Sequence, residues 1–212
     1  MNLANRTVLF LGDSITEGVG ASSPNKNYVS VFQKLSGTNI VNYGISGTRI
    51  AKKRAQSENR SWDQDFLGRV DDMQKDADIV VVFGGTNDFG HGDAELGTFS
   101  SQDSYTFYGA LHTLCKKLLN KYPYATIVFL TPLHRLNESD ATNEIGRITP
   151  PLSKFVAAIQ EVAGYYGLPV LDLFHTSGIQ PKVEIIKELY MPDGLHPSDA
   201  GAERIAQRLY AY

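Results

Sequence analysis

The chain has 212 residues, with 20 Lys plus Arg against 23 Asp plus Glu and a formal net charge of −3. Apolar residues make up 42% and charged residues 20%, which excludes a disordered or fibrous chain and leaves no global basic field to hold nucleic acid. A chain of this size buries about 70% of its unfolded surface, so residues 1–212 read as one domain that needs neither disulfides nor a structural metal.

Cys115 is the sole cysteine, so an internal disulfide and Cys-rich metal frameworks are ruled out. The longest apolar run near the start, Val8-Leu9-Phe10-Leu11, is too short for a signal-peptide core or a membrane span. The chain as given therefore reads as cytoplasmic, with no membrane insertion.

Short β-rich runs at 7–11, 39–43, 78–83, 126–130 and 168–173 have near-continuous Val, Ile, Leu and Phe cores, the pattern of parallel strands buried on both faces. Between them lie helical stripes. Tyr28, Val31, Phe32 and Leu35 recur at i, i+3, i+4, i+7, and Leu111, Leu114, Cys115 and Leu118 do the same. Phe155, Val156, Ile159 and Val162 form a third stripe, and Ile205, Ala206 and Leu209 a fourth, with Ser198 as its N-cap. This alternation predicts a single-domain α/β fold: a doubly wound five-stranded parallel sheet with helices on both faces. Two polar stretches, 89–103 and 136–149, each follow a strand and have the length of functional loops.

In such sheets ligands bind beyond the carboxyl ends of the strands. There stand Gly12-Asp13-Ser14, Gly44-Ile45-Ser46-Gly47, Gly84-Gly85-Thr86-Asn87-Asp88 and Thr131-Pro132-Leu133-His134-Arg135. Ser14 sits where a helix would begin, and the free N–H groups and dipole of a helix start favour a developing anion; an N-capping serine is the plainer alternative. Asp193-Gly194-Leu195-His196-Pro197 can set a carboxylate against one ring nitrogen and free the other for a hydroxyl; it also reads as a surface turn before a helix. The Gly44 N–H and the Asn87 amide offer oxyanion donors, or merely brace their own turns.

In order and context these four blocks resemble the SGNH (GDSL-type) hydrolases: Gly12-Asp13-Ser14-Ile15, then Asn42-Tyr43-Gly44, then Gly85-Thr86-Asn87-Asp88, then Asp193-Gly194-Leu195-His196-Pro197. Ile15 stands where Leu is common. The resemblance implies a flavodoxin-like sheet and a serine esterase acting on small carboxylic esters, a small-molecule substrate. It implies Ser14 as nucleophile, His196 as base and then acid, Asp193 as its orienter, and an oxyanion hole from Ser14, Gly44 and Asn87. No cofactor and no metal are implied. Carbohydrate O-acetyl esters, lysophospholipids and thioesters are alternative substrates within the family.

Two readings come from other classes. A Mg-dependent phosphoryl-transfer enzyme would use Asp13 as nucleophile, but Ile15 stands where a second carboxylate is wanted. A non-catalytic ligand-binding module would lack a reactive position, and none is missing. Asp13, His91, His134 and Arg135 are further candidates for substrate contact. The basic run Arg49–Arg54 reads as a solvated face, His112 as a satisfied histidine, His175 as a loop cap, and Cys115 as core. Trp62 fits either the core or the site.

Overall fold

The structure is a computed structural model that describes residues 3–139 and 142–212. β1 (Thr7–Gly12) is followed by α1 (Ser14–Glu17), α2 (Tyr28–Ser36) and β2 (Asn39–Gly44). α3 (Phe66–Asp72) leads to β3 (Ile79–Phe83), and α4 (Thr86–Gly90) and α5 (Phe107–Lys121) lead to β4 (Thr126–Leu130). α6 (Leu152–Tyr165) precedes β5 (Val170–Leu171), and α7 (Leu173–Thr176), α8 (Glu184–Tyr190) and α9 (Asp199–Ala211) complete the chain.

The five strands pair in parallel in the order β2-β1-β3-β4-β5. Successive strand residues point to opposite faces, and both faces are covered. Leu9, Leu11, Val80, Val82, Ile127 and Phe129 pack under α3, α5 and α6. Val8, Phe10, Val81, Phe83, Val128 and Leu130 pack under α2 and α9. The chain leaves β1 towards β2 on one side and returns to β3 on the other. The resulting switch point opens a crevice at the carboxyl ends of β1 and its neighbours.

Local chemistry sets the helix limits. Asn27 caps α2, Thr106 caps α5 and Ser198 caps α9, each through its side-chain oxygen. α3 escaped the periodicity because it spans only 7 residues; its start is marked by Asp65, which accepts from Gly68 N–H at 3.0 Å. The fifth strand is shorter than expected. Pro169 has no N–H to give the ladder, and Asp172 caps α7, so only Val170 and Leu171 remain.

Phe10 meets Tyr28 and Phe32 edge to face, at ring-centroid distances of 5.8 and 5.6 Å. Phe10→Ala should therefore lower unfolding free energy by about 3–5 kcal/mol in urea denaturation. A loss under about 1 kcal/mol would show that this layer does not depend on aromatic packing.

Candidate active site

β1 ends at Gly12, and α1 begins two residues later at Ser14. Asp13 is the N-cap: its Oδ1 accepts from Ile15 N–H at 3.0 Å. Ser14 thus occupies the first helical position, where its own N–H has no intrahelical acceptor. Its Oγ lies 3.0 Å from His196 Nε2. His196 Nδ1 lies 2.7 Å from Asp193 Oδ2, while Asp193 Oδ1 accepts from the N–H of Leu195 at 2.8 Å and of His196 at 2.7 Å. Partial burial works upward on Asp193, but the backbone N–H and ring of His196 and the Leu195 N–H outweigh it and hold the carboxyl below its ordinary range. An ionised Asp193 accepts a hydrogen bond from Nδ1–H, which keeps the proton on Nδ1 and leaves the Nε2 lone pair for the serine hydroxyl.

Asn87, on α4, donates one amide hydrogen to Thr48 O at 3.0 Å, so its side chain is fixed with a second hydrogen to offer. Gly44 is placed differently from the expectation. Its N–H is held by Asn42 Oδ1 at 2.8 Å, and a Cβ on Gly44 would lie 2.1 Å from Glu17 N. The close approach of β2 to α1 is what this glycine permits. A second glycine of the same loop, Gly47, three positions on, was not singled out in the sequence. It lines the cleft with Ser14 and Asn87, and no partner for its N–H occurs among the described residues. Its φ is +73°, and a Cβ would lie 2.2 Å from Trp62 Cδ1. The loop Gly44-Ile45-Ser46-Gly47 contained the signal, but choosing between its glycines required knowing where the Asn42 side chain points.

Ser14, Asn87 and His196 share an open cleft of about 280 Å³ with Val19, Ser46, Gly47, Trp62, His91, Glu144 and Leu195. A larger apolar groove of about 460 Å³ lies at the opposite end of the sheet, beside Leu3 and Tyr212. It brings together none of the expected reactive groups. Among the described residues, no three of His, Cys, Asp and Glu converge as a metal-ligand set.

The other expected contacts divide. His91 lines the cleft, and Trp62 does too. Asp13 is 2% exposed and braces its turn instead of reaching substrate. His134 stacks on Phe174 at 3.8 Å and bonds Glu138, away from the cleft, because β4 lies beyond β3 from Ser14. Arg135 is buried and acts through another residue: it bonds Thr86 O at 3.2 Å and the cleft carboxylate Glu144 at 2.5 Å. The basic run is not a simple solvated face. Arg49 is buried on Trp62 O, Asp63 and His91, whereas Arg54 stays exposed on Asp103. His112 is satisfied by Tyr166 OH and Phe99 O, His175 bonds Asp172, and Cys115 is core.

Burial pushes Asp13 up to about 7 and Asp88 up to about 6, the latter against N–H bonds from Ala51 and Ile50. A carboxyl that binds its proton more tightly folded than unfolded stabilises the fold while protonated. That contribution is complete below the unfolded carboxyl range near 4 and fades as pH rises through about 6 to 7. The urea midpoint should fall between pH 5.5 and pH 8, and Asp13→Asn, which keeps the acceptor for Ile15, should flatten that slope. An equally steep slope in the variant would remove Asp13 as the cause.

Residues 10–204 match the GDSL-like lipase/acylhydrolase family. An acetylxylan esterase of Xylanibacter ruminicola is 27% identical over 96% of this chain, which spans only 42% of that relative's length. A solved chain 37% identical superposes with a TM-score of 0.85, covering 100% of this chain and 97% of its own. A crystal structure of a Lactobacillus plantarum protein, 29% identical, gives a TM-score of 0.82 with 98% and 96% coverage. Parallel sheet, cleft residues and matched span agree: the chain belongs to the GDSL-like lipase/acylhydrolase family.

Proposed function

We propose that the protein is a serine esterase that cleaves small carboxylic esters through an acyl-enzyme on Ser14. The observation that carries this reading is the unbroken chain Ser14 Oγ, His196 Nε2, His196 Nδ1, Asp193 Oδ2, with links of 3.0 and 2.7 Å. Ser14 Oγ attacks the acyl carbon as His196 Nε2 takes its proton. Asp193 keeps the imidazole in the accepting tautomer and stabilises the imidazolium that forms. The oxyanion meets the N–H groups of Ser14 and Gly47 and the second amide hydrogen of Asn87. His196 then protonates the leaving alkoxide, and a water deprotonated by the same nitrogen releases the acid.

Phosphoryl transfer on Asp13 fits poorly, since that carboxylate is buried and engaged by Ile15 N–H. Within the ester class, an O-acetylated carbohydrate is favoured by the acetylxylan esterase relative and by the polar side chains of His91 and Glu144 in a cleft of about 280 Å³. Lysophospholipids and thioesters lack a matching feature there.

Ser14→Ala should keep the fold and abolish p-nitrophenyl acetate turnover. A serine-directed phosphonate should add one covalent mass to the native chain and none to the variant. Asn87→Ala should lower kcat by about 10²–10³, the usual effect of removing one oxyanion donor. Near-native turnover by Ser14→Ala would defeat the assignment.

A further inference from the structure

The cleft has unlike surfaces. Val19 and Leu195 supply apolar area, suited to a small acyl group, while Trp62, His91 and Glu144 supply an aromatic face and polar groups. His91 is held in an unusual way. The Arg49 guanidinium, 3% exposed, sets Nη1 3.1 Å from His91 Nδ1, and its Nη2 is anchored by Trp62 O at 2.9 Å. A guanidinium can only donate. His91 Nδ1 must therefore present its lone pair, so the proton of the neutral ring sits on Nε2. The ring is fixed further by its backbone N–H on Asn87 O at 3.0 Å and by the Trp62 indole 5.1 Å away. Nε2 has no partner among the described residues and is not among their buried orphan atoms, so this donor is open to the cleft. In the same cleft Glu144 is half-exposed, with Oε1 tied to Arg135 and Oε2 left to accept.

We propose that His91 is a substrate-binding residue that donates from Nε2 to an oxygen of a hydroxyl-rich alcohol moiety, and that Arg49 is the positioning residue that fixes the required tautomer. Trp62 provides the apolar platform and Glu144 an acceptor for the same moiety. This inference rests on the reading of Ser14 as nucleophile. The charges facing His91 are Arg49 and Lys53 from the loop after β2, with Arg135 and Glu144 from the segment after β4. Burial first, then Arg49, pushes the ring down to about 4, so it is a neutral donor near neutral pH.

The test separates hydrogen bonding from packing. His91→Gln keeps a neutral N–H donor, whereas His91→Phe keeps a ring against Trp62 without one. With an O-acetylated methyl xyloside, His91→Phe should raise KM about tenfold, the weight of one good hydrogen bond, while kcat moves less than about threefold. His91→Gln should restore most of that loss. With p-nitrophenyl acetate, whose alcohol has no hydroxyl-rich part, the two variants should differ from each other by less than about twofold. Packing alone would make Phe equal or better than Gln on both esters, and that result overturns the proposal, as does an equal loss on both. Imidazole ¹⁵N NMR should show His91 protonated on Nε2 alone from pH 5 to 8, and Arg49→Met should restore titration nearer the ordinary value of about 6.5. A wild-type ring carrying its proton on Nδ1, or titrating in that range, overturns the role of Arg49. Full turnover by Ser14→Ala would instead defeat the nucleophile assignment, which the NMR result does not touch.

Discussion

Three strand ends meet at the cleft, and a buried guanidinium ties two of them together. Arg69 Nη1 donates to Gly12 O at 3.1 Å and Thr48 Oγ1 at 2.8 Å, and Nη2 donates to Gly12 O at 3.1 Å and to Tyr43 O. Removing a cation from water costs several kcal/mol, which only full hydrogen bonding offsets. Burial still pushes Arg69 down to about 10. Asp88 performs the matching task for β3, accepting from Ile50 N–H at 3.0 Å and Ala51 N–H at 2.8 Å. The loop after β2 is thereby clamped between the ends of β1 and β3. Ser14, Gly47 and Asn87 come from three separate strand ends, so a shared cleft depends on these clamps.

The Asp-x-x-His spacing occurs three times, at Asp88–His91, Asp172–His175 and Asp193–His196; in the last two the carboxylate bonds the ring, so the unit does not define a site by itself. Asp172 Oδ1 accepts from His175 N–H at 3.2 Å and Asp172 Oδ2 meets Nδ1 at 2.7 Å, the same pattern as Asp193 with His196. His175 is 60% exposed, however, at the edge of the sheet after β5, and His196 is 18% exposed against Ser14. What separates them is chain path. Ser22 holds Asp199 at the start of α9 through bonds of 2.8 and 2.7 Å, and α9 packs on α2. That latch carries the turn containing His196 back to the end of β1, over a sequence separation of 182 residues.

Strands 1 to 4 were legible within a residue at each end because parallel strands covered on both faces leave unbroken apolar runs. The turns that carry Ser14, Asp193, His196 and Asn87 were legible in adjacent residues, but each alone also read as a cap or a surface turn, and only the resemblance of the four blocks together pointed to one site. Gly47 was not singled out and Arg49 was misread as part of a solvated face, because their surroundings are assembled from distant chain. Nothing near Arg49 in sequence announces that Trp62 O, Asp63 and His91 will surround it. α8 was missed for a different reason. None of its residues is buried, so it has no apolar stripe to read.

The two polar stretches each contribute one side chain to the cleft, His91 and Glu144, and each is held by a buried arginine: Arg49 from the loop after β2 for His91, and Arg135, just before the second stretch, for Glu144. The second stretch is also pinned to the first, with Glu144 N–H on Gly90 O at 2.8 Å and Asn143 Nδ2 on Gly92 O at 3.0 Å. These bonds make the polar wall a continuation of α4, the helix that also carries Asn87. A side chain on such a support loses little freedom when it meets a ligand, so its hydrogen bond adds more net affinity than one from a free loop. The reactive groups and the polar wall are therefore coupled through one short helix: a shift of α4 moves Asn87 and His91 together. In the proposed mechanism, recognition and oxyanion stabilisation would then depend on the same placement of β3's carboxyl end, which Asp88 anchors.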